Sequence, residues 1–179
     1  MTGSNESIPS IEPVRHEVTL ACGPDHAFAV FTERFDEWWP RTHHLGSDEH
    51  YQAILQSVPG GRWYERGSDG TELEWGRVLR VRPPRLLLLA WQLDADWKYD
   101  PELVTEVEVT FTDLGPGGTL VRVEHRDLER FGERAAEVRR ALGNDRGWKM
   151  ILAGLAGLAG LAGLAGLAEV ADPGPRRPA

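Results

Sequence analysis

The chain has one cysteine, no excess of basic residues and no apolar segment near its amino terminus. Cys22 alone cannot form an intramolecular disulfide, which argues against a disulfide-stabilised secreted scaffold. The formal net charge is −8, from 20 Lys and Arg against 28 Asp and Glu, and this sign disfavours binding to nucleic acid or to anionic lipid. Residues 1–10 are polar and show no signal-peptide pattern, so we expect a cytoplasmic location.

The remaining composition is that of a folded domain. Hydrophobic residues make up 41% and charged residues 27% of 179 residues, which is enough for one hydrophobic core. We expect residues 14–168 to form that single domain. Residues 1–13 read as a flexible leader, and residues 169–179 read as a disordered tail rich in Pro and Arg.

Hydrophobic periodicity predicts a strand, two short helices, about six strands and a long final helix. Alternating residues indicate the strands, and turn residues such as those of Ser68-Asp69-Gly70 separate them. Short strands with this spacing favour an antiparallel sheet, which the long helix covers on one face. The fold class is therefore α+β. The predicted strands are residues 14–21, 51–58, 62–66, 73–81, 86–93, 103–112 and 119–126, and the predicted helices start at residue 24 and cover 35–39, 133–142 and 145–168.

The order of elements and several local sequences resemble a known superfamily. The sequences are Phe35-Asp36-Glu37-Trp38-Trp39-Pro40, Pro59-Gly60-Gly61-Arg62-Trp63-Tyr64-Glu65, Trp75-Gly76-Arg77-Val78-Leu79, Pro83-Pro84-Arg85-Leu86 with Trp91, Glu106-Val107-Glu108-Val109-Thr110-Phe111 and Val123-Glu124-His125-Arg126. Over residues 14–155 they are similar to the START-like helix-grip (SRPBCC) superfamily, in the branch homologous to the C-terminal domain of the activator of heat shock protein 90 ATPase. The resemblance implies a curved antiparallel sheet of six or seven strands wrapped round the long C-terminal helix. It implies little about function, because this scaffold serves carriers, cyclases, sensors and co-chaperones.

The end of the chain departs from that family. Family members close with a mixed amphipathic helix, whereas residues 152–168 repeat Leu-Ala-Gly with a period of three. Successive leucines of such a helix drift by about 60°, so they wind round it and only its first turns pack on the sheet. The uncharged stretch 150–168 has the length of a membrane span, but its Ala and Gly content and the tail behind it make us predict no span. A weak homodimer through this helix is the partner interaction that we retain.

The sequence holds no convincing catalytic or metal-binding motif. His43, His44, Asp48, Glu49 and His50 are capable ligands, yet we interpret them as a solvated loop because nothing fixes their geometry. Cys22 has no identifiable base and is interpreted as a structural thiol. We therefore predict no metal, no cofactor and no catalytic residue, and we favour binding over catalysis.

The tryptophans suggest where a ligand binds. There are seven, and most fall on elements that enclose the interior of a helix-grip fold, where core and cavity wall are the same surface. His125 follows Val121 and Val123 with a period of two and is the predicted polar anchor, with Arg77 as a second candidate. The predicted ligand-binding residues are Trp63, Trp75, Arg77, Trp91, Val109, Phe111, Val123, His125 and Trp148.

The sequence thus favours binding of a small, mainly apolar ligand between the sheet and the C-terminal helix. Two other functions stay open. One is a co-chaperone-like interaction module of the heat-shock ATPase activator type, which needs an exposed partner-facing patch. The other is an enzyme of the polyketide cyclase or hydratase type, which needs an acid and a base converging inside the cavity.

Overall fold

The computed structural model describes the backbone of residues 11–169 and the side chains of residues 11–160. The predicted leader up to Ser10, the predicted tail after Glu169 and the leucines of the repeat beyond Gly160 lie outside those residues. The strands are β1 (Val14–Leu20), β2 (Gln52–Leu55), β3 (Arg62–Arg66), β4 (Glu72–Arg82), β5 (Leu86–Trp91), β6 (Thr105–Asp113) and β7 (Thr119–Arg126). The helices are α1 (Pro24–Glu33), α2 (Phe35–Trp38), α3 (Ala135–Gly143) and α4 (Trp148–Glu169).

The seven strands form one antiparallel sheet in the order β1-β7-β6-β5-β4-β3-β2. All neighbours except β1 and β7 are consecutive in sequence, so hairpins build six of the seven strands. The sheet curls into a half-barrel, and the long C-terminal helix α4 completes the fold. The α+β class and the helix-grip fold predicted from the sequence are confirmed.

The alternation on β6 and β7 sets the inner face of the sheet. Val109 lies opposite Val123 and Val107 lies opposite His125, and all four side chains are fully buried. The intervening glutamates and arginines are partly exposed on the outer face, where Arg126 pairs with Glu106. The period of two therefore places both predicted strand faces in the same interior.

The amino-terminal part of α4 packs as the sequence suggested. Ile151, Leu152, Leu155 and Ala159 are buried, whereas Gly157 is exposed. Spacings of three and four residues keep these positions on one side of a helix, so the buried stripe passes from leucine to alanine as the repeat drifts. Within the described residues, no helix is long and apolar enough to cross a membrane.

Several element boundaries differ from the predicted ones. Strand β2 ends at Leu55 rather than at Val58, whose side chain is 59% exposed. Helix α4 starts at Trp148 because the Oδ1 atom of Asn144 accepts the backbone N–H of Arg146, which makes a turn instead of a helix cap. A 3₁₀ segment over Leu128–Arg134 precedes α3 and was not foreseen.

Candidate ligand-binding cavity

A cavity of about 540 Å³ lies beside the amino end of α4, between that helix and strands β4 and β5. Loops complete its wall: the segment after α2, the segment after β5 and the turn between α3 and α4. Its volume lies in the range typical of small-molecule sites. The lining residues are Trp39, Thr42, His43, His44, Leu45, Trp75, Trp91, Leu93, Trp97, Ala141, Leu142, Asn144, Arg146, Gly147, Trp148 and Ile151.

Tryptophan dominates this wall. Five of the seven tryptophans line the cavity, and their rings contact one another in sequence round it. The ring centroids of Trp39 and Trp75 are 5.0 Å apart, and those of Trp91 lie 6.1 Å from both Trp148 and Trp97. Such edge and tilted contacts hold the indoles at fixed angles to one another.

Trp63 stands behind the wall rather than in it. Its ring contacts Trp39, Trp75 and Trp91 at centroid distances of 6.0, 5.8 and 5.4 Å, and its side chain is 1% exposed. Its indole N–H is buried and has no hydrogen-bond partner among the residues that the structure describes. Trp63 therefore packs behind three of the lining tryptophans and supports their positions.

A buried carboxylate holds one of the loops against the sheet. Glu65 on β3 is 2% exposed and accepts the backbone N–H groups of Leu45 and Gly46 at 2.8 and 2.7 Å. The indole N–H of Trp75 also donates to this carboxylate, at 3.0 Å. Hydrogen bonds to a charged acceptor are among the stronger ones, so Glu65 positions both the loop and a lining tryptophan.

Two histidines of the same loop line the cavity. The Nε2 atom of His43 lies 2.6 Å from the carbonyl of Arg146, which can only accept, so this nitrogen donates and ties the loop to the α3–α4 turn. The Nδ1 atom of His44 lies 2.7 Å from the carbonyl of Gly46 and donates in the same way. In a neutral His44 ring, Nε2 is then an acceptor, and no group of residues 11–160 hydrogen bonds to it.

His125 is fully buried beside the cavity wall. Its Nδ1 atom accepts the indole N–H of Trp148 at 3.2 Å, so in the neutral ring Nε2 carries the proton and lies 2.8 Å from the hydroxyl of Thr105. Burial lowers the pKa of His125 to about 3, because the charged ring would lose its hydration. His125 is thus a neutral link between β7, β6 and the first residue of α4.

The structure brings together part of the predicted site. Trp75, Trp91 and Trp148 line the cavity, while Trp63 and His125 contact those tryptophans from behind. Val109, Phe111 and Val123 lie in the filled core and not in the cavity wall, and Arg77 is half-exposed and paired with Glu74. Contact of any of these residues with a ligand stays a prediction.

Sequence reasoning missed the loop residues of the wall. Trp39 and Trp97 were not assigned to the site, and His43 and His44 were considered only as metal ligands. One usable signal was present: an apolar aromatic, Trp97, in an otherwise polar loop. Their approach to the cavity depends on tertiary contacts such as that of His43 with Arg146, which no local pattern reports.

The polar groups of the wall are few. Among the described lining residues, Arg146 carries the only permanent charge, and there is no Asp or Glu. Cys22 lies outside the wall at the end of β1, and burial raises the pKa of its thiol. In the part of the chain with described side chains, no three His, Cys, Asp or Glu residues converge as a metal site would require.

Comparison with known proteins places the chain in a family. Residues 21–160 match the family described as activator of Hsp90 ATPase homolog 1-like protein. No curated protein sequence is similar to this chain.

Three solved structures illustrate the likeness. An anthrahydroquino-γ-pyrone synthase, Txn09, shares 37% identity over 83% of this chain and 97% of its own, with a TM-score of 0.56. The self-sacrificing resistance protein CalC from Micromonospora echinospora shares 34% identity over 83% of this chain and 94% of its own, with a TM-score of 0.61. Protein NE0264 from Nitrosomonas europaea shares 15% identity over 84% and 96%, with a TM-score of 0.60, and supports the fold alone. With most of the described chain matched, this protein belongs to the activator of Hsp90 ATPase homolog 1-like family.

Proposed function

We propose that the protein binds a small, planar, mainly apolar aromatic molecule in the cavity between the sheet and α4. The observation that carries the proposal is the wall of five tryptophans round about 540 Å³. Indole faces offer large, rigid apolar area to a flat ligand and lose little conformational entropy when it binds. The name of the synthase that shares 37% identity, which refers to an anthrahydroquinone, supports a fused-ring aromatic ligand.

In this proposal Trp75, Trp91 and Trp148 contact the ligand directly, together with Trp39 and Trp97. Trp91 lies at the centre, because its ring contacts Trp63, Trp97, His125 and Trp148. His125 contributes by holding Trp148 through the indole N–H. The proposed polar contacts come from the loop and turn residues.

The test uses a neutral probe, anthraquinone-2-carboxamide, and measures quenching of tryptophan fluorescence with isothermal titration calorimetry. We expect the full chain to bind the probe and Trp91→Leu to weaken binding by about tenfold, or about 1.4 kcal/mol. Trp38→Leu is the matched control, because Trp38 is similarly buried but does not line the cavity: its ring packs on Phe31 and Phe35 and reaches the wall only through Trp39. A wild-type protein that neither quenches nor releases heat with this probe would contradict the proposal.

A second candidate function is catalysis of the cyclase type, favoured by the likeness to a synthase. His44 is the residue that such a reaction would use, since its Nε2 atom can accept a proton from a ligand hydroxyl at the cavity wall. Native mass spectrometry of protein purified from its own host separates the two functions. A binding protein would carry one co-purified molecule and leave it chemically unchanged. An enzyme would convert added substrate, and His44→Gln would slow this conversion without weakening substrate binding.

A further inference from the structure

The charges round the cavity differ from those of the protein as a whole. The chain has 28 acidic residues and a net charge of −8, yet no Asp or Glu stands among the 16 lining residues of the described structure. The one fixed charge there is positive, on Arg146. An acidic protein thus surrounds its cavity with a wall that has no negative side chain.

Two carboxylates near this wall in sequence are paired with basic side chains. Asp96 binds Arg134 at 2.7 Å, and Asp145 binds Lys149 at 2.8 Å. Glu65, behind the loop, accepts three N–H donors. These pairings reduce the negative potential that would otherwise reach a ligand at the mouth of the cavity.

The backbone of Arg146 is fixed by hydrogen bonds, whereas its side chain is exposed. Its N–H donates to Asn144 and its carbonyl accepts from His43, so its position at the mouth is fixed. Its side chain is exposed, and within residues 11–160 no carboxylate lies within ion-pair distance of its guanidinium. Helix α4 begins two residues later, at Trp148, and the partial positive charge of its amino end adds to the same side.

We propose that the ligand carries an acidic oxygen, a phenolate, enolate or carboxylate on its aromatic body, and that Arg146 supplies the opposing charge. The proposal rests on the proposed binding function and names the chemical class of the ligand. A guanidinium binds a carboxylate with two parallel N–H donors and attracts a phenolate or enolate oxygen by its charge, and this attraction is stronger beside an apolar wall than in water.

The test compares two probes of one shape, anthraquinone-2-carboxylate and the neutral anthraquinone-2-carboxamide, by calorimetry on the full chain. The wild type is expected to bind the carboxylate about five to ten times more tightly than the amide at low salt, and salt is expected to reduce this preference. Arg146→Gln should remove the preference, so that the carboxylate and the amide bind with equal affinity. Arg146→Lys should keep part of it.

Arg80→Gln is the matched control. Arg80 lies exposed on β4, away from the cavity, and its replacement changes the net charge by the same amount. A preference that survives in Arg146→Gln, or that falls equally in Arg80→Gln, overturns the proposal and leaves the binding function intact. An equal loss of affinity for both probes in Arg146→Gln also overturns the proposal, because Arg146 would then affect binding by maintaining the structure and not by its charge. Failure of both probes to bind the wild type contradicts the binding function itself.

Discussion

The interior of the sheet is filled at one end and hollow at the other. At the filled end, Phe28 and Phe31 of α1 contact Phe111 of β6 edge to face, at centroid distances of 5.2 and 5.6 Å. At the hollow end, near Trp91 and Trp148, tryptophans surround a cavity of about 540 Å³. Phe111 of the filled end lies on β6, whereas Trp75 and Trp91 of the hollow end lie on β4 and β5, so the two ends use different strands of one sheet.

The covering elements differ as well. At the filled end, Phe28 and Phe31 of the regular helix α1 pack into one core with the valines of the sheet. Loops and the α3–α4 turn cover the other end, where Glu65 accepts a backbone N–H that holds one loop against β3, and His43 ties that loop to the turn. One end therefore provides stability, and the other has space for a ligand.

The largest expected effect is a loss of stability at low pH, caused by His125 beside the hollow end. The pKa of His125 is lowered to about 3 in the fold, whereas an unfolded histidine has a pKa near 6.5. Above that value both states are neutral and pH has no effect through this group. As the pH falls from 6.5 towards 3 the unfolded state alone gains the proton, so stability drops by about 1.4 kcal/mol per pH unit.

Urea unfolding at about pH 6.5 and pH 4.5 measures this loss, which should be about 2 kcal/mol for the histidine alone. His125→Gln removes the titrating group and should lose that much less over the same interval. His50→Gln, at an exposed loop position, is the control and should follow the wild type. Equal acid losses in His125→Gln and the wild type would show that His125 does not stay neutral.

The next effect concerns two glycines of the repeat, which differ in the space around their Cα atoms. A Cβ atom on Gly154 would lie 2.3 Å from the backbone carbonyl of Trp38, whereas one on Gly157 would meet nothing within 4 Å. Gly154→Ala must therefore push α4 away from α2 at the filled end, at a cost of about 1–3 kcal/mol. Gly157→Ala should instead stabilise the helix by up to about 1 kcal/mol.

Thermal unfolding of the two variants checks the opposite signs. Both add one methyl group to one helix, so helix propensity alone would stabilise both alike. Stabilisation by Gly154→Ala would mean that α4 does not lie against Trp38 as closely as the structure shows.

The same comparison shows what could be predicted from the sequence. The filled end follows from periodicity: Val109 and Val123 alternate into the interior, and the apolar stripe of α1 meets them. The fold class and the family resemblance rest on such local patterns and are confirmed. Trp75, Trp91 and Trp148 also belong to regular elements, and the sequence predicts them as site residues; they line the cavity, and their contact with a ligand stays a prediction.

The hollow end could not be predicted to the same extent. His43 and Arg146 are over a hundred residues apart and meet only through a side chain bound to a backbone carbonyl. The partners of His125 decide its role, and the alternation that predicts a buried His125 does not identify Thr105 and Trp148 as those partners. Cavity walls made by loops depend on long-range hydrogen bonds that leave no periodic signal.

The smallest expected effect separates stability from binding at the mouth of the cavity. Trp97 has φ of 61°, a left-handed backbone conformation that is unfavourable for a bulky residue, and its indole is 43% exposed. The Oδ1 atom of Asp94 accepts the N–H groups of Asp96 and Lys98 and fixes the loop in this form. Such strain is common where a binding site needs a side chain in a particular place.

Replacement of Trp97 by Gly or by Ala removes the same indole, but only glycine adopts the positive φ of this position without strain. Trp97→Gly should be about 1 kcal/mol more stable than Trp97→Ala, because glycine adopts a positive φ without strain. Both variants should bind anthraquinone-2-carboxamide equally weakly, since each lacks the ring that faces Trp91 across 6.1 Å. Urea unfolding and calorimetry give the two quantities separately. Equal stability of the two variants would show that the loop relaxes once the indole is gone, and wild-type affinity in both would remove Trp97 from the site.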